Sequence, residues 1–376
     1  MAKRRFQNVV MWVSYASIVV LVCMIIGTGS CALSANDFTV ISGDYTAPVL
    51  ENFLLTGEQN AILRFSCDVT FPLLEYYEIS EYSTSIINAE NPGEYDGAVF
   101  INSVDVISAG DSNSHEYTLI FPDKVSCDKS YILSGTVKDS TGSSLTFSVG
   151  FTGFNARVPR MIFSEVSTEY SNPRVEFVEF YVLEDGNLAG MILHSAGDGE
   201  DCDYVFPSVE VKKGEYVVLH MRTKEEDVID ETGDDLTLSG GKNASSSGRD
   251  LWIDSEDTRL SKNDVLLLRE SLNGRLADAV AYVDGVKTAW PKDAMESFVI
   301  EAVEANLWQG GTDVSQAINI EKITTTRTLS RQNIAEIARL FDAGQTNFDN
   351  SKDNWIIVAT SNLSPGSENS TTAYIP

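Results

Sequence analysis

Three histidines in 376 residues, His115, His194 and His220, leave little material for acid–base or metal chemistry. None stands in the H-E-x-x-H or H-x-H spacing that brings two imidazoles to one ion. The five cysteines include no C-x-x-C pair, which excludes zinc-ribbon and thioredoxin-type motifs. A G-x-S-x-G nucleophile elbow and a Gly-rich phosphate loop are also absent. Basic residues are scarce: 27 Lys and Arg stand against 55 Asp and Glu, for a formal charge of −28. Such a surface repels phosphate backbones, so no nucleic-acid partner is expected. With 43% hydrophobic and 10% aromatic residues, the composition is that of a folded chain with real cores.

One long uncharged apolar run is present, at residues 9–29, preceded by Lys3, Arg4 and Arg5. This is the pattern of an export signal, and it places the body outside the cytoplasm. The run breaks at Gly27-Thr28-Gly29-Ser30-Cys31, which resembles a bacterial lipoprotein cleavage site. The resemblance implies a signal segment over 1–30, Cys31 as the lipidated residue and a tether over 31–43. It also implies a protein held in the bacterial cell envelope, periplasmic or surface-exposed, with the membrane as a partner through its lipid. Two alternatives stay open: simple secretion, and an uncleaved anchor, since about 21 residues at about 1.5 Å each cross a bilayer.

The remainder divides near 157–160. Residues 44–156 hold short strand-like runs at 61–70, 116–121, 131–138 and 145–152, separated by turn clusters such as Asn91-Pro92-Gly93 and residues 139–142. The stretch SGTVKDSTGSSLTFSVGFTG (134–153) resembles the closing hairpin of bacterial immunoglobulin-like domains. Cys67 and Cys127 fall in this domain as a candidate disulfide or as isolated thiols, with Cys202 left over.

A second series of strands is expected at 161–168, 174–183, 190–194, 204–206, 215–221, 251–254, 264–270 and 276–283. Several pieces follow in one order: IFSEV (162–166), EFVEFY (176–181), LAG (188–190), KGEYVVL (213–219), GRLADAVAY (274–282), LSR (329–331) and LSPGSEN (363–369). In that order they are similar to the lamin tail domain, an immunoglobulin-like module. Two insertions depart from the likeness, near 222–248 and 285–327. Helical periodicity is expected at 334–341, and a helical turn or two within 294–307.

The prediction is therefore all-β: two immunoglobulin-like antiparallel β-sandwich domains in tandem, at 44–156 and 158–370, behind the N-terminal segment and before a tail at 371–376. No catalytic residue is assigned. The acid clusters, Asp198, Glu200, Asp201 and Asp203 with Glu225, Glu226, Asp227 and Asp230, read as solvated faces or as calcium ligands without EF-hand spacing. Calcium is the only cofactor they suggest. The function expected is a non-enzymatic binding or scaffolding module with an unidentified protein or glycan partner. A calcium-dependent adhesin and an accessory protein of an exported hydrolase are the alternatives.

Overall fold

Alternation writes the strands of the first half. In the run Asn60–Phe65, Ala61, Leu63 and Phe65 are buried while Asn60 and Arg64 face solvent, the period-2 pattern of a half-buried strand. The computed structural model describes residues 47–79, 99–108, 115–197, 203–257 and 260–376. The N-terminal segment and tether, with Cys31, lie outside the described residues, as do Asn91-Pro92-Gly93, Asp198, Glu200, Asp201 and Cys202.

The first sandwich is built from β1 (Leu50–Gly57), β2 (Asn60–Phe65), β3 (Thr70–Ile79), β4 (Val99–Ser103), β5 (Asp105–Ser108), β6 (Glu116–Ile120), β7 (Ser130–Lys138) and β8 (Ser144–Thr152). Its sheets run β1-β2-β6-β5 and β4-β3-β7-β8. Between them lies an aromatic core of Phe53, Phe65, Tyr76, Tyr117, Phe121, Tyr131, Phe147 and Phe151. The run 61–70, expected as one strand, is two. The Ser66 hydroxyl accepts from Val49 N (3.0 Å) and the Tyr117 hydroxyl from Val69 N (2.7 Å), so the chain leaves one sheet and enters the other as β3.

Cys67 and Cys127 are free thiols, so the candidate disulfide is not formed. The antiparallel β2–β6 register pairs Arg64 with Glu116 and Asn60 with Ile120, which puts Cys67 beyond one end of the ladder and Cys127 beyond the other. At about 3.4 Å per residue the intervening strand far exceeds the ~7 Å Cα limit for a bridge.

The second sandwich comprises β9 (Met161–Ser167), β10 (Phe177–Val182), β11 (Gly186–Asn187), β12 (Ile192–Ser195), β13 (Tyr204–Val205), β14 (Glu210–Val211), β15 (Tyr216–His220), β16 (Arg249–Trp252), β17 (Asp264–Arg269) and β18 (Leu276–Val283). It is completed by α1 (Asp293–Glu304), β19 (Ile318–Asn319), β20 (Leu329–Arg331), α2 (Ile334–Asp342) and β21 (Trp355–Ile357). The main sheets run β16-β15-β10-β9-β20-β21 and β13-β12-β17-β18-β19, with β11–β14 as a small ribbon.

Two pairs, β15–β16 and β18–β19, are parallel. A parallel neighbour requires a long crossover, and the insertions at 222–248 and 285–327 supply the two that are needed. The second carries α1, three turns rather than one or two. Its Met295, Val299 and Ala302 are buried in the main core, and Arg269 on β17 pairs with Glu301 at 2.6 Å. Helix α2 buries Ile334 and Ile337 in a separate cluster with Ile162, Leu183 and Phe348. Among the described residues no helix is long and apolar enough to cross a membrane.

Asp278 on β18 fastens the two main sheets together. Its Oδ2 accepts from Phe163 N on β9 and from Arg331 Nη1 on β20, both at 2.8 Å, and its Oδ1 accepts from Asn350 Nδ2 at 3.1 Å. Arg331 is buried, with its guanidinium 5.7 Å from the Trp355 ring centroid.

Candidate functional site: a buried carboxylate–histidine layer

In β10, Val178, Phe180 and Val182 enter the core, so Phe177, Glu179 and Tyr181 take the other face of the sheet. Glu165 is the register partner of Glu179 across the β9–β10 ladder. Neither glutamate is exposed. Glu179 accepts from Ser164 Oγ (2.7 Å) and Gly366 N (2.6 Å). Glu165 accepts from Ser364 N (3.1 Å), Ser364 Oγ (3.0 Å) and the Thr328 hydroxyl. Burial raises both carboxyls above the ordinary glutamate range, and the neighbouring charge of Glu165 adds to the effect on Glu179.

The same face continues onto β15 and β16. His220 Nε2 and Asp250 Oδ1 are 2.7 Å apart, and the imidazole stacks on Trp252 with centroids 3.8 Å apart and an interplanar angle of 12°. Asp250 Oδ2 accepts from Ser245 N at 2.8 Å. Buried Glu231 accepts from Asp250 N (2.9 Å) and from Leu238 N and Ser239 N (each 3.0 Å).

Two segments close over the layer and touch each other. Ser247 Oγ donates to Gly366 O at 2.9 Å, and a Cβ on Gly248 would stand 2.4 Å from Gly366 Cα, so only glycine fits at 248. Asn369 Nδ2 secures the C-terminal segment by donating to Ser164 O (3.0 Å) and Arg331 O (2.9 Å).

Chemically this layer is a fastener. A His–Asp dyad acts as a base when its second nitrogen reaches a nucleophile or water. His220 Nδ1 is buried and has no hydrogen-bond partner among the described residues. Each of the other histidines also meets an aspartate at 2.8 Å, His115 at Asp68 and His194 at Asp203. Among the described residues no three His, Cys, Asp or Glu side chains converge as a metal-ligand set.

The acids singled out from the sequence scatter accordingly. Asp203 bonds His194 and accepts from Ser195 N at 3.1 Å. Glu225 accepts from Lys242 N (2.8 Å), and Asp230 accepts from Trp252 N (2.7 Å) with its carboxyl pushed up by burial. Asp227 contributes its backbone carbonyl to Gly240 N, and Glu226 is exposed. The insertion is thus a tied crossover rather than the free acidic, Gly/Ser-rich loop its composition suggests. Glu165, Glu179, Asp250 and Asp278 were not singled out from the sequence. The available signal was a carboxylate inside an otherwise apolar strand, as in EFVEFY, which alternation alone assigns to a wet face.

These features define a tandem β-sandwich protein whose second sandwich is closed by buried carboxylates. The chain belongs to the family described as TP_1001_2nd, protein second domain, whose model matches residues 159–357, from just before β9 to the end of β21. It is also similar to an uncharacterized protein of Treponema pallidum (strain Nichols), with 34% identity over 167 residues, covering 44% of this chain and 42% of that protein. The chain therefore spans less than half the length of that relative.

Proposed function

We propose that the protein is a non-enzymatic cell-envelope lipoprotein, anchored through Cys31, whose tandem sandwiches act as a binding or scaffolding module. The observation that carries the non-enzymatic reading is the use made of the buried acids: Glu165, Glu179, Glu231, Asp250 and Asp278 are each occupied by amides or hydroxyls of their own chain. Groups committed in this way hold loops in place. By analogy of fold alone, the order of motifs similar to the lamin tail domain, behind a domain resembling bacterial immunoglobulin-like modules, favours a role in contact rather than turnover. Lys3-Arg4-Arg5, the apolar run and Cys31 support the anchor.

The test has two arms. Cells expressing the protein are labelled with radioactive palmitate, and Cys31→Ala should lose the label and move from the detergent phase to the aqueous phase. Label retained in that variant, or an intact Met1 terminus on the mature protein, would refute the lipid anchor. Hydrolytic activity that co-purifies with the protein and is abolished by His194→Ala would refute the non-enzymatic reading.

A further inference from the structure

A chamber of about 530 Å³ lies beside the linker between the sandwiches. Its apolar wall includes Val158, Leu276, Leu307 and Phe341, and two cations line it, Arg275, which is paired with Glu270, and Arg160. An apolar cleft of about 260 Å³ shares Val158, Glu270 and Arg275 with it and extends between the sandwiches toward Phe53 and Phe151. The chamber's volume is on the scale of small-molecule sites, roughly 300–1,000 Å³, and the cleft falls just below it.

The Arg160 guanidinium is half-buried and, among the described residues, has no ion pair and no hydrogen bond. The groups that would ordinarily serve it are already in use. Asp278, the carboxylate that acts on it most, holds Phe163 N, Arg331 and Asn350. Glu270 is held in a two-point pair by Arg275. The carbonyls at the end of α1 receive Ala305, Asn306 and Leu307 amides, and those at the end of α2 receive Ala343, Gly344 and Gln345 amides. Glu184, on the rim, is exposed and makes no ion pair with it.

A desolvated arginine facing an apolar wall suits a planar anion on an apolar body, because the guanidinium fork matches a carboxylate in two-point geometry. Glu184, Glu270 and a chain charge of −28 disfavour a dianion such as phosphate. We propose that this chamber binds a small apolar monocarboxylate of the acyl-chain type, with its carboxylate on Arg160 and its hydrocarbon along Leu276, Leu307 and Phe341. The inference rests on the reading of the body as a binding module and is independent of the anchor.

The experiment places the full chain in lipid nanodiscs and titrates octanoate labelled with ¹³C at the carboxyl carbon, with empty nanodiscs as reference. Saturable binding above the reference is expected, and Arg160→Gln should weaken it at least tenfold while Arg160→Lys weakens it less. Unlabelled octanoate should displace the probe, whereas octanol and inorganic phosphate should not. Ala305→Trp, which adds bulk to the chamber's lining, should also reduce binding, and an unchanged thermal transition in each variant shows that the loss is not a folding defect. Binding equal to that of empty nanodiscs, unaffected by Arg160→Gln, or displaced equally by phosphate would overturn the proposal. Failure here leaves the non-enzymatic reading standing, because that reading is decided separately by co-purifying hydrolytic activity and its loss in His194→Ala.

Discussion

Glu165 and Glu179 face each other in register across the β9–β10 ladder, two buried carboxyls that, among the described residues, pair with no cation. Opposed like charges destabilise a sheet, and burial makes ionisation costlier still. Hydroxyls and amides of residues 164, 328, 364 and 366 donate to them, which lowers the cost without removing it.

This pair makes stability depend on pH in a defined direction. Both folded-state values are raised above the ordinary 4.5, so the contribution is complete below about pH 4.5 and is lost as pH rises through the folded values. Glu179→Gln retains a carbonyl for Gly366 N and offers an NH2 to Ser164 Oγ. Thermal unfolding from pH 5 to 8 should fall less steeply in this variant than in the wild type. At pH 8 the variant's midpoint should be the higher by several degrees, since ~1 kcal/mol moves a domain of this size about 2–4 °C. Parallel pH profiles would assign the dependence elsewhere.

Breaking the fastener between the sheets should be costly. Arg331→Met leaves Asp278 as a buried carboxylate still bonded to Phe163 N and Asn350 but without its cation, and should cost about 3–5 kcal/mol in denaturant unfolding. The double variant Asp278→Asn, Arg331→Met should cost less than the sum of the two single changes, because neither charge is then stranded. Strict additivity in that cycle would show that the pair is not coupled.

Closure of the layer can be tested at one hydrogen atom. Gly248→Ala places a methyl 2.4 Å from Gly366 Cα, which the two backbones cannot absorb without moving apart. A loss of about 1–3 kcal/mol is expected for such overpacking. Amide exchange should quicken at 364–369 and at 245–250, while β17 and β18 stay protected. Unchanged exchange in both segments would show that they close independently.

The thiols of the first sandwich give a chemical check. Denatured, unreduced protein treated with iodoacetamide should gain one adduct at Cys67 and one at Cys127. In the folded state Cys127 should react slowly near neutral pH and faster as pH rises, because burial pushes its thiol up and Asp128 adds to the shift. Protection of both residues until reductant is added would establish a bridge.

Much of the strand order was legible because apolar alternation is local. The runs at 161–168 and 276–283 lie almost residue for residue on β9 and β18. Short strands such as β11, β14 and β19, two residues each, carry no readable period and exist only because a neighbouring strand pairs with them. The acid layer was illegible for a related reason. Whether Glu231 lies in water or receives Leu238, Ser239 and Asp250 amides depends on where a crossover of more than twenty residues returns, which charge patterning does not encode. Composition made that crossover look solvated, and the same acids turn out to be what holds it down. Arg160 was hidden differently: a single arginine beside a proline reads as linker, and only the fold shows how many neighbouring acceptors are already taken.

The C-terminal segment bears on synthesis. Residues 364–369 leave the ribosome after every strand of the second sandwich, yet they supply Ser364 and Gly366 to the two central glutamates and Asn369 to β9 and β20. A nascent or truncated chain ending before 364 holds all its β-strands and still presents two carboxyls deprived of their amide donors. Completion of the sandwich is thereby tied to the arrival of residues 364–369, so that a product terminated before them carries a built-in defect on which quality-control proteolysis can act.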